Sequence, residues 1–135
     1  MKVNKTLRIK FKSLEDLKTE LLDLPKKKKG YIQPTDVILF ESLNAFRNFM
    51  TLQKLEILMV IAAKKPRSVY ELAQLVGRAI APVQKDCSAL AKAQFIYFEK
   101  ELGGRGSLKP LLKFDYDRLL VEMQDFPYEL WFRAA

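Results

Sequence analysis

The stretch SVYELAQLVGRAIAPVQKDCSAL, residues 68–90, holds two short amphipathic patterns that meet at Gly77. Ser68 and Glu71 form a helix-opening pair: the serine oxygen can accept from the Glu71 amide while the glutamate reaches back to the amide of Ser68. Val69, Leu72, Ala73 and Val76 then share one face, and Gly77 suits the left-handed residue that ends a helix. A second helical pattern begins near Ile80 and runs to about Ala93, with Val83, Cys87 and Leu90 facing inward and Gln84, Lys85, Ser88 and Lys92 facing out. Ala73, four residues before the glycine, lets the two helices cross closely, and Val83 and Cys87 fill the gap between them. The spacing predicts a helix-turn-helix with a dry inner face and a wet outer one.

Working outward, Leu52, Leu55, Leu58, Met59 and Ala62 recur at helical intervals. They predict a helix over 51–64 buried along that face and stopping before Pro66. Downstream, residues 95–101 are rich in aromatic and β-branched types, Gly103-Gly104-Arg105-Gly106-Ser107 follows, and then comes Leu108 to Phe114. This is the pattern of a β-hairpin with a flexible basic tip. Three helices followed by a hairpin, the last two helices joined by a tight glycine turn, is the layout of a winged helix-turn-helix. Its expected span is 42–116, which includes a short helical pattern from Ser42 through Phe46, Phe49 and Met50.

Ahead of it, residues 1–41 predict a small β-α-β appendage. Val3, Leu7, Ile9 and Phe11 point one way and Arg8, Lys10 and Lys12 the other, as in a half-buried strand. Ser13 with Asp16 opens a helix whose Leu14, Leu17, Leu21 and Leu24 lie on one stripe, and Val37 to Phe40 is a short apolar run suited to a second strand. Between them, Lys26 to Lys29 with Gly30 and Pro34 reads as a solvated basic loop, with phosphate contact as the alternative. In residues 117–135, Leu119, Val121 and Met123 alternate with Arg118, Leu120 and Glu122, which fits a last strand or, nearly as well, a helical turn. An aromatic tail, FPYELWFRAA, follows. The expected class is therefore α+β.

Composition narrows the chemistry. The chain has 135 residues, 49% of them hydrophobic, enough for one core with an appendage. One cysteine and no histidine exclude an intrachain disulfide, a Cys/His zinc cluster and a histidine-based catalytic triad. No nucleophile–base pair stands out, and the glycines at 103–106 open no helix, so the nucleotide fingerprint is missing. We expect no enzyme activity, no cofactor and no metal. The longest apolar run, Ile57 to Ala63, is far short of a membrane span, and MKVNKTLRIKF lacks a signal-peptide core, so the expected setting is the cytoplasm with no membrane partner. A formal charge of +8 favours a polyanionic partner through counterion release.

The segment TLQKLEILMVIAAKKPRSVYELAQLVGRAIAPVQKDCSALAKAQFIYFEKE resembles the MarR/ArsR-like winged-helix transcriptional regulators, and within them a small bacterial and archaeal antitoxin-type group. The residues that carry the resemblance are Pro66, Ser68, Glu71, Leu72 and Ala73, then Gly77, Arg78, Val83, Asp86 and Leu90, within a match over about 43–116. The resemblance implies a double-stranded DNA-binding regulator that represses its own operon. As an alternative, it implies an antitoxin-type module that neutralises a toxin protein, with DNA binding secondary.

In that architecture the third helix enters the major groove. Gln84 can then pair with adenine, Lys85 with guanine or a phosphate, and Ser88 with either. Arg78 either contacts a phosphate or braces Asp86. Residues 79–82, Ala-Ile-Ala-Pro, supply no polar side chain where many relatives cap the helix and touch DNA, so base readout rests on few contacts and DNA shape counts for more. Arg67 and Ser68 stand at a helix start suited to an anion, and Arg105 and Lys109 decorate the hairpin, the wing of the fold. Cys87, on the inner face, reads as core packing rather than a thiol switch. A single unit of this size presents little surface, so a two-fold homodimer is expected, formed by the N-terminal strand and helix, the Ser42 to Met50 helix or the tail.

Overall fold

A computed structural model of the chain describes residues 5–22, 36–100 and 108–122. Their order is β1 (Thr6–Phe11), α1 (Leu14–Leu22), β2 (Val37–Phe40), α2 (Leu43–Phe49), α3 (Leu52–Lys64), α4 (Val69–Val76), α5 (Ile80–Lys92), β3 (Ile96–Lys100), β4 (Leu108–Leu112) and β5 (Arg118–Val121). The fold is α+β with two small sheets among the described residues. Its contacts divide it into a helix-and-hairpin unit built on Met50–Asp117 and a sheet unit built on Thr6–Phe49 together with β5. None of the described helices is long and apolar enough to cross a membrane.

In the helix-and-hairpin unit, Thr51 opens α3 by accepting from the Lys54 amide at 3.2 Å, and Lys65 closes it in the left-handed conformation at φ 47°. The inner face of α3 is Ile57, Leu58 and Ile61. This corrects the expected stripe: Leu52 is 81% and Met59 69% exposed, and Ala62 is exposed too. The helix is apolar nearly all round, so its period admits more than one stripe. Packing against α4, α5 and β4 selects the isoleucine side.

Ser68 caps α4 as its position predicts, accepting from the Glu71 amide at 3.0 Å. The Glu71 carboxylate, however, accepts from the amide of Arg67 at 3.4 Å, one residue before the expected Ser68. At the other end Gly77 adopts φ 71°, a left-handed conformation that costs an L side chain energy and glycine almost none. Its amide donates to the Gln74 carbonyl at 3.2 Å and the Arg78 amide to the Ala73 carbonyl at 3.1 Å, so the last turn of α4 is satisfied as the chain reverses. Across this turn α5 buries Val83, Cys87 and Leu90 completely, together with Leu72 of α4.

The β3–β4 pair is an antiparallel hairpin with Ile96 opposite Leu112, Phe98 opposite Pro110 and Glu99 opposite Lys109. Ile96 and Pro110 are buried while Tyr97 and Glu99 on the alternate face are exposed. Phe95, fully buried, is held from behind by the Tyr116 hydroxyl, which donates to its carbonyl at 3.0 Å. Burial raises the Tyr116 phenol well above its ordinary pKa. Residues 101–107, the expected basic tip with Arg105, lie outside the described residues.

The sheet unit has the strand order β2-β1-β5, all parallel. Leu7 and Ile9 on the central strand are fully buried, and Leu119 pairs in register with Leu7 and Val121 with Ile9. The β-α-β appendage is thus present, but two features extend it. The segment after Asp117 is a strand and joins this sheet. The α2 helix also belongs here rather than with the helices that follow, because Phe46 packs edge-on against Phe40 at 5.2 Å and Phe11 at 6.2 Å between ring centres. Ser13 caps α1 through the Asp16 amide at 3.1 Å, yet Leu14, expected on the inner stripe, is 57% exposed. Leu24, Lys26 to Lys29 and the aromatic tail fall outside the described residues.

Candidate nucleic-acid interface

With Val83, Cys87 and Leu90 turned into the core, helical geometry sends Ala81, Gln84, Lys85, Ser88 and Lys92 to the opposite flank. All five are exposed. Among the described residues Gln84, Lys85 and Ser88 enter no hydrogen bond or ion pair, so their polar ends are free to meet a ligand. The three predicted readers, at spacings of one and three, therefore form one contiguous patch.

The start of α5 is bare. Ala79 holds the capping position with no side-chain hydrogen bond, and Pro82 has no amide hydrogen to offer. The Val83 amide reaches the Ala79 carbonyl only at 3.5 Å. This leaves the amides of Ile80 and Ala81 at the positive end of a 13-residue helix, among exposed residues that do not compete for them.

Arg78 lies in the turn with Nη1 3.0 Å from Asp86 Oδ2, both side chains about three-quarters or more buried. The atom makes no aligned hydrogen bond, so the link is an ion pair that braces the turn to α5. Of the two roles open to Arg78, bracing is the one its position serves. Beside it the Cys87 thiol is fully buried; burial first, then the Asp86 charge, with Arg78 opposing, pushes its pKa from 9.0 up to about 11. A thiol so far from ionising packs as a small apolar group.

The remaining predicted residues are dispersed. Arg67 is exposed beside the first turn of α4, whereas the Ser68 oxygen is occupied by its cap. Lys109 stands on the outer face of the hairpin opposite Glu99, which carries the opposite charge. Sequence reasoning missed a further basic feature. An open groove of about 390 Å³ between the end of α3 and the hairpin has Ile61, Tyr97, three lysines (Lys65, Lys109 and Lys113) and one acid, Asp115, in its lining. Lys113 donates to Gln94 Oε1 at 3.1 Å, while Lys65 and Tyr97 are exposed. The only signal for it was a lysine at the α3 stop and an aromatic on the outer face of β3. Among the described residues no cluster of histidine, cysteine or acidic side chains could hold a metal ion.

A family model, HVO_A0114, matches residues 49–119, just over half of the chain. The chain belongs to the HVO_A0114 family. No curated protein and no solved structure matches it. The HVO_A0114 match begins one residue before the helix-and-hairpin unit and ends two residues after it. What the family shares is thus α3, α4, α5 and the hairpin, the elements that present the candidate patch.

Proposed function

We propose that the chain is a winged helix-turn-helix protein, similar to the MarR/ArsR-like regulators, that binds double-stranded DNA and represses its own operon. The observation that carries this reading is the division of α5: Val83, Cys87 and Leu90 are wholly buried, while Gln84, Lys85 and Ser88 are exposed with their polar ends unengaged. A helix anchored along one side and free along the other has the form that fits a major groove about 12 Å wide. Gln84 is suited to adenine, Lys85 to guanine or phosphate, and Ser88 to either.

The bare first turn of α5 offers amides to a phosphate, and Arg67 and Lys109 add cations on neighbouring elements. Backbone contacts outnumber base contacts in this arrangement, so affinity should be strongly salt-dependent and sequence preference modest. Fluorescence anisotropy of the full chain tests this, using the duplex upstream of its own gene against a scrambled duplex at rising salt. Tighter binding to the upstream duplex is expected, fading as salt rises. Lys85→Ala should weaken both, flattening the salt slope by about 1 if Lys85 holds a phosphate. Equal affinity for the two duplexes removes the operator reading, and no binding at low salt removes DNA altogether.

A further inference from the structure

We propose that β5 is a homodimerisation strand, pairing antiparallel with β5 of a second copy around a two-fold axis through Leu120. Among the described residues nothing pairs with its outer edge, since the strand order is β2-β1-β5. An apolar edge without proline or lysine is a template for another strand, and chains usually protect such edges. In Arg118-Leu119-Leu120-Val121 neither device is present.

The register makes this edge self-complementary. The Glu122 amide donates inward to the Ile9 carbonyl at 2.9 Å, and Leu120 and Glu122 stand opposite Arg8 and Lys10 of β1. By strand alternation the amides and carbonyls of Leu119 and Val121 point outward. Set antiparallel about Leu120, Leu119 exchanges two hydrogen bonds with the partner's Val121, and Val121 two more with the partner's Leu119. Their side chains, half-buried on the inner face, continue the apolar surface of the sheet. On the outer face Leu120, 42% exposed, meets the partner's Leu120. Arg118 then stands opposite the partner's Glu122, and Glu122 opposite the partner's Arg118.

Arg118 is exposed and has no ion pair among the described residues. Glu122 lies 3.6 Å from Arg8 and 3.7 Å from Lys10, and the partner's Arg118 would add a third cation to that group. The outer edge of β2 lacks this match. β2 is flanked by Asp36 and Glu41, acids at both ends, and a β2-to-β5 contact between copies would propagate as an open ribbon instead of closing. The proposal deepens the DNA reading, because a palindromic site needs a two-fold protein, but its test requires no DNA.

Sedimentation equilibrium of the full chain should show a dimer with a dissociation constant on the order of micromolar, as befits a short strand pair. Val121→Pro removes only an outward amide and so spares the ladder to β1. It should raise that constant roughly tenfold or more with an unchanged circular dichroism spectrum.

A register test stands beside it. Leu120→Cys places two thiols directly opposite and should oxidise to a covalent dimer. Arg118→Cys, about 13 Å from its counterpart, should not; the native Cys87 is buried in both. A monomeric wild type, equal cross-linking of the two variants, or dimerisation untouched by Val121→Pro overturns the proposal, the last two pointing to another interface. A dimer with no affinity for duplex upholds it while removing the DNA reading.

Discussion

The helices α4 and α5 are separated by three residues and share one core, yet they expose opposite things. On α4 the inner Leu72 and Ala73 are buried and the outer face carries Tyr70 and Leu75, exposed at 61% and 45%. On α5 the inner Val83, Cys87 and Leu90 are buried as completely, but the outer flank carries Gln84, Lys85 and Ser88. α4 begins at a satisfied cap; α5 begins at an alanine with no side-chain cap. The inner faces thus set stability in both helices, while the outer flank and the open start set what α5 alone can touch.

The largest effects should come from the faces the two helices share. Leu72→Ala and Leu90→Ala should each lower the unfolding free energy by about 2–5 kcal/mol, since both side chains are fully buried and their truncation leaves a cavity. Leu75→Ala on the outer side of α4 should cost under about 1 kcal/mol. Urea unfolding followed by circular dichroism measures all three. If Leu75 costs as much as Leu72, the division of α4 into inner and outer faces is wrong.

A smaller effect separates the inner faces by pH. Leu72 and Ala73 cannot titrate, whereas Cys87 can. Its thiol keeps a proton up to about pH 11 in the fold and releases it near 9.0 when unfolded. Between those values unfolding releases a proton, so the contribution is whole below about pH 9 and lost as pH rises through 11. Two pKa units correspond to roughly 2–3 kcal/mol. Cys87→Ala, compared with wild type in urea titrations at pH 8 and 10.5, should unfold with a shallower alkaline decline. Parallel declines would mean that α5 does not bury its thiol.

These contrasts also mark what could be read in advance. The turn from Ser68 to Leu90 was legible because its signals are local: a cap, a left-handed glycine, and apolar residues at helical spacing, set on α5 against a polar flank. The patch of Gln84, Lys85 and Ser88 followed from the same period, as the complement of Val83, Cys87 and Leu90. On α3 that logic failed, because Leu52 and Met59 fit the period as well as Ile57 and Ile61 do, and only packing chooses. The place of α2 depends on Phe46 meeting Phe40 and Phe11, and that of β5 on Leu119 meeting Leu7 across more than a hundred residues. No window of sequence contains such contacts. Arg78 had two roles open to it, since whether it reached Asp86 depended on the angle at which the turn set the two helices.

The smallest effect concerns the helix starts, and it separates stability from function. Ser68→Ala should cost about 1 kcal/mol, because the Glu71 amide loses its acceptor. At Ala79 the reverse change is open: φ −60° and ψ 149° already suit a capping residue, so Ala79→Asp should stabilise the chain by about 0.5–1 kcal/mol through the dipole and a cap to the free end. Pro82 limits that gain, since it cannot donate where a cap usually finds its third amide. If the bare start of α5 faces a phosphate, the same carboxylate sets like charge against like and withdraws the amides of Ile80 and Ala81 from the ligand. Affinity for duplex DNA should then fall roughly tenfold at low salt, and less as salt screens the repulsion. Thermal unfolding and anisotropy on one preparation give both numbers. A variant that melts higher and binds as tightly as wild type would mean that the first turn of α5 faces no phosphate, leaving only its middle, around Gln84, Lys85 and Ser88, to meet the groove.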